Sequence, residues 1–104
     1  VPFKLIRSND SSAPIIQCGE EEKVLKAFFE TEIQDDAVFA QHLLDLILAS
    51  GCMQNELSGN LYNILIFKKK FTIENLFDDD ETFTGNKTFL KKTLQQWLSF
   101  IDQI

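Results

Sequence analysis

Few residues in this chain are suited to chemistry. The single histidine, His42, and the two cysteines, Cys18 and Cys52, are its nucleophile and metal-ligand candidates, and Asp78-Asp79-Asp80-Glu81 is its densest carboxylate run. A helix through His42 sets Asp45 at the next-turn position, the pairing that proton transfer or phosphoryl relay would use. Bulky Leu43 and Leu46 crowd the space that a phosphoryl group would need. The pair therefore reads as a helix histidine satisfied by a neighbouring acid.

Cys18, His42 and Cys52 lack the short paired spacings of a structural zinc site. A calcium loop begun at Asp78 places Phe83 at the tight turn, where glycine belongs, and Phe89 at the closing glutamate position. Begun at Asp80, the loop closes on Lys91. The four glycines build no phosphate-cradling loop, and no nucleophile elbow is present. The sequence thus assigns no catalytic residue, no cofactor and no metal, and it reads as a protein without enzymatic activity.

Charge narrows the partners. Sixteen acids against ten lysines and arginines leave a net charge of -6. Glu20, Glu21, Glu22, Glu30, Glu32, Asp35, Asp36 and Asp45 crowd one stretch that carries only Lys23 and Lys26 in return. Such a balance opposes binding to nucleic acid, where lysines and arginines gain affinity by displacing counterions from phosphates. The run Lys68-Lys69-Lys70, flanked by Phe67 and Phe71, is too short to reverse that and reads as a solvated end of an element. An acidic surface suits a basic protein partner.

Cys18 and Cys52 are either two buried thiols or one disulfide, and two cysteines do not make a dense framework. The glycosylation patterns at Asn9 and Asn86 weigh little in a chain rich in serine and threonine. The longest apolar stretches are interrupted by His42, Asp45 and Asn63, so no transmembrane span is expected. An intracellular setting is favoured over a secreted one.

The elements that would position these residues read as mainly helical. Residues 1–19 hold both prolines and a serine-rich cluster without helical periodicity, and form an N-terminal arm. Residues 20–104 form a single helical domain. Glu20-Glu21-Glu22 places three acids at the positive end of a first helix, whose stripe is Val24, Leu25, Phe28 and Phe29. A second helix over 36–50, capped by Asp35 or Asp36 and closed by Gly51, is apolar over most of its circumference and is expected at the centre.

Leu57, Leu61, Ile64 and Leu65 suggest a third helix from Glu56 to Lys70. The strand formers in 61–67 and Phe71-Thr72-Ile73 support an alternative, a short hairpin around residues 61–73 in an α+β fold. Residues 73–77 read as one helical turn, and Asp78 to Gly85 as a polar loop pinned by Phe83. Leu90, Leu94, Trp97, Leu98 and Ile101 trace the last helix, over 87–103. The expected fold is all-α, a compact bundle of about four helices.

On that fold the expected function is a non-catalytic protein-interaction module. Glu20, Glu21, Glu30, Glu32 and Asp35 would form an acidic helical face for a basic partner, such as a basic toxin or enzyme to be neutralised. An aromatic among Phe28, Phe83 and Phe100 would anchor the contact. Two alternatives differ in class. One is a secreted, helical, cytokine-like or effector ligand with Cys18 bonded to Cys52; the other is a structural domain of a larger assembly protein. The sequence sets no oligomeric state.

Overall fold

The computed structural model describes residues 3–6, 14–49 and 55–101. Its fold is mixed α+β, not a bundle of four helices. Strands β1 (Lys4–Ile6) and β2 (Ile15–Gln17) pair as an antiparallel hairpin. A 3-10 turn at Glu20–Glu22 leads into α1 (Lys23–Phe28), which continues as a π-helical turn over Phe29–Ile33. Helix α2 (Ala37–Ala49) follows. Then come β3 (Asn55–Ser58), β4 (Tyr62–Ile66), β5 (Lys70–Asn75) and β6 (Asp78–Asn86), joined in sequence order as an antiparallel meander. Helix α3 (Lys87–Ile101) ends the described chain.

Helices α1 and α3 lie against β5 and β6, and α2 packs on α3. The sheet therefore has one covered face and one open face. Its covered face carries Tyr62, Ile64, Ile66, Phe71 and Ile73, all buried. These meet Leu25, Phe28, Phe29, Ile33, Leu90, Leu94 and Trp97 from the helices in one continuous core. Residues of the open face, Glu56, Ser58, Asn63, Thr72, Glu74, Thr82 and Thr84, are mostly polar, as expected for a sheet wetted on one side.

The expected helix over 56–70 is β3, β4 and the turn between them. Its Leu57, Leu61, Ile64 and Leu65 fit a helical face only if Tyr62 and Ile66 are ignored. Both of those are buried beside Ile64 with the strand period of two. The α+β alternative was nearer, although its hairpin at 61–73 is the middle of a four-stranded sheet. The expected turn at 73–77 and loop at 78–85 are the end of β5 and most of β6.

Helix α2 forms where expected, but it is not enclosed. Ala40, Leu43, Leu44 and Ile47 are buried, while Val38 is 81% exposed and Leu48 61%. Helix α2 is an outer element: it packs on α3, which in turn lies against the sheet. Asp36 caps α2 by accepting the Phe39 amide at 3.0 Å; the expected closing residue, Gly51, lies outside the described residues. Asn86 caps α3 through the Thr88 amide at 2.7 Å. Among the described residues, no helix is long and apolar enough to cross a membrane.

Candidate protein-binding site

Of the acids expected on one helical face, Glu30 and Glu32 are engaged in holding the fold. Glu30 Oε2 accepts from Lys26 Nζ at 2.7 Å and from the Ile16 amide at 3.1 Å, and Lys26 Nζ also reaches the Ile16 carbonyl at 2.9 Å. That triangle fastens β2 to α1. Glu32 accepts the amides of Asn60 at 3.1 Å, Leu61 at 2.8 Å and Tyr62 at 2.7 Å, and so clamps the β3–β4 turn. Phe28 is fully buried and cannot anchor a partner; Phe83 and Phe100 are half-buried. Glu20, Glu21 and Asp35 are exposed. Cys18 carries a free thiol, and burial pushes its pKa up, with Glu22 adding to the effect. Cys52 lies outside the described residues.

A different acidic surface is assembled at one end of the sheet, where the β3–β4 and β5–β6 turns lie side by side. The Leu76 amide donates to the Leu61 carbonyl at 2.8 Å and ties the two turns together. The β5–β6 turn is Leu76-Phe77, and Asn75 shapes it by accepting the Phe77 amide on its side-chain oxygen at 2.8 Å. Asp78 does the same for the Asp80 amide at 3.0 Å. The ladder slips here: Glu74 faces Thr82, but Asn75 faces Asp78. The extra residues of β6 bulge outward and carry Asp79 and Asp80 with them.

Phe77 is 79% exposed at this tip, beside Leu61 at 45% and Leu76 at 46%. Glu74 and Asp78-Asp79-Asp80-Glu81 flank Leu76 and Phe77 in sequence, and Glu32 accepts the Leu61 amide. Neither 55–67 nor 71–86 contains a lysine or arginine to neutralise them. Glu74 and Asp79, with Asn75, Leu76 and Thr82, also line a shallow recess of about 280 Å³. A recess walled by two carboxylates and an amide suits the head of a lysine or arginine side chain.

Behind the tip, polar side chains lock the sheet. Asn63 is buried and donates to Glu56 at 2.6 Å and to Glu74 at 3.0 Å, while its oxygen accepts from Ser58 at 2.8 Å. Glu81 Oε1 receives the Tyr62 hydroxyl at 3.3 Å and the Asn75 amide at 3.0 Å. Burial raises the Tyr62 pKa, and the Glu81 carboxylate raises it further. These bonds hold Glu74 and Asn75, two walls of the recess, in place.

Asp45, expected beside His42, accepts instead from Gln41 at 3.0 Å. Among the described residues, no group of three or more His, Cys, Asp or Glu side chains could hold a metal ion. The run Lys68-Lys69-Lys70, expected at a helix end, spans the β4–β5 turn and the start of β5, at the far end of the sheet from Phe77.

The sequence reading missed Leu76 and Phe77 and weighed Asp78–Glu81 only as a calcium loop. The signal was nevertheless there. Phe71-Thr72-Ile73-Glu74 and Glu81-Thr82-Phe83-Thr84 both alternate, and they bracket a short apolar-then-acidic connection. Comparison with protein-family models, with curated proteins and with solved structures finds no match to this chain.

Proposed function

We propose that this chain is a non-catalytic protein-interaction domain whose acidic tip binds a basic protein partner. The observation that carries the reading is Phe77, a large apolar side chain left 79% exposed and followed directly by Asp78-Asp79-Asp80-Glu81. Covering a phenyl ring of this kind contributes about 2–3 kcal/mol. An aromatic anchor with a charged rim is the usual composition of a binding hot spot. The carboxylates serve encounter rate and partner choice, and the recess at Glu74 and Asp79 receives one cationic side chain.

This reading moves the contact from the helical face to the hairpin tip, with Glu32 supporting the tip instead of touching the partner.

Selection of a random peptide library on the immobilised chain tests the proposal. Recovered peptides should combine lysine or arginine with an apolar residue, and should lose binding to the Phe77→Ser variant. Peptides without cationic residues, or peptides that bind the variant as well as the parent, would refute it.

A further inference from the structure

The four-stranded sheet ends in two edge strands of unequal length. Strand β3 has four residues, while β6 has nine and outlasts the six of its neighbour β5. Just past the end of β6, the Lys87 amide donates to the Lys69 carbonyl at 3.0 Å. Bonding alternates along an antiparallel ladder, so Gly85 and Phe83, two and four residues back, also turn their backbone groups toward β5. Thr82, Thr84 and Asn86 turn theirs away from the sheet. The Oγ1 atoms of Thr72 and Thr84 lie 2.9 Å apart, the close approach of a facing pair that exchanges no ladder bonds. Thr82, Thr84 and Asn86 are all exposed, and among the described residues no other strand pairs with this edge.

A row of outward amides and carbonyls is a template for one more strand. This edge leads directly into the acidic tip, because Thr82 and Asp79 of β6 line the recess together with Glu74. Glu74 and Glu81 meet only neutral partners, Asn63 for the first and Tyr62 and Asn75 for the second. Among the described residues, neither they nor Asp78, Asp79 and Asp80 form an ion pair. Phe83 faces Ile73 on the covered side of the sheet, yet at this edge it is only half-buried.

We infer that the basic partner of the tip binds as an extended segment, which adds to β6 and continues the sheet by one strand. The inference rests on the tip being a protein-binding surface, as proposed above, and it names the form in which the partner is read. Bonds to the backbone of Thr82, Thr84 and Asn86 hold the segment whatever its sequence. Its side chains alternate between the two faces of the sheet, so an apolar residue on the covered side packs on Phe83. Past Thr82 the segment runs beside Asp78 to Glu81, where lysine or arginine residues pair with the carboxylates and one enters the recess. The aspartates turn away neutral and acidic strands, and so reserve the edge for a basic one.

Residue-resolved hydrogen exchange on the parent chain tests this, with a lysine- or arginine-containing peptide recovered by the selection above as the probe. Free peptide at about 100 times its Kd should slow exchange at the Thr82 and Thr84 amides about 100-fold. Methylating the peptide's backbone nitrogens one at a time should abolish binding at alternate positions, because an added strand turns every second amide toward β6. Binding that requires Phe77 but leaves exchange at Thr82 and Thr84 unchanged overturns strand addition and leaves the tip reading standing. So does a methylation series without the alternation. Slowing at Thr82 and Thr84 when the chain alone is concentrated, with no peptide present, gives the edge to a second copy and also overturns the inference. Peptides that bind Phe77→Ser as well as the parent remove both readings.

Discussion

Any Cβ at Gly59 would overlap the carboxylate of Glu32, which three backbone amides of the β3–β4 turn hold in place. Gly59→Ala should therefore displace Glu32 and cost about 1–3 kcal/mol, the usual worth of hydrogen bonds to a charged group; urea unfolding measures it, and an unchanged midpoint contradicts the clamp. Gln34 has φ 51° and ψ -128°, a region suited to glycine, in the tight turn closed by Asp36 amide to Ile33 carbonyl at 2.9 Å. Gln34→Gly should relieve that strain and stabilise the chain by about 1 kcal/mol. Thermal melting that falls instead would assign Gln34 a stabilising role through its side-chain bond to Thr31. The Tyr62 phenol has its pKa raised above the ordinary 10.0 in the folded state. The stability linked to its proton is complete below pH 10 and is lost as pH rises through the higher folded value. Tyr62→Phe should flatten the alkaline fall in stability, and an unchanged slope would show that Tyr62 is not its source.

At the scale of elements, the helices were legible and most of the sheet was not. The α3 stripe of Leu90, Leu94, Trp97 and Ile101 is an unambiguous helical period, and all four residues are buried. Strand β4 defeats the same test because its outward Leu65 is apolar, so four of its five residues are hydrophobic and no clean alternation appears. Strand β6 begins with three aspartates, among the weakest strand formers, and is tolerated because it lies at an edge, where charges also discourage further pairing. Helix α2 misled in the opposite sense. Its apolar circumference suggested a centre, yet Val38 and Leu48 face solvent. The N-terminal hairpin is tied to the helical layer by Glu30, which accepts the Ile16 amide. Glu30→Ala should speed hydrogen exchange at Ile16 while α3 amides keep their protection; an unchanged Ile16 rate would mean that burial of its side chain holds the hairpin unaided.

Across the whole molecule, charge is separated along the strand direction, with carboxylates around Phe77 at one end and lysines around Leu48 at the other. Composition alone conceals this: a net charge of -6 says nothing of where ten cations and sixteen acids go, and the meander is what sends them apart. Of the acids expected at the partner surface, Glu30 and Glu32 hold the fold because the π-helical turn that carries them lies close to both β2 and the β3–β4 turn. Exposed Phe77 takes no part in the core cluster, so folding and binding should separate cleanly at this residue. The decisive measurement is thermal melting and binding of a selected basic peptide on one preparation of Phe77→Ser. The account predicts a melting temperature matching that of the parent, within the roughly ±0.5 kcal/mol typical of surface changes, together with loss of binding. Retained binding, or loss of binding that accompanies unfolding, would contradict it.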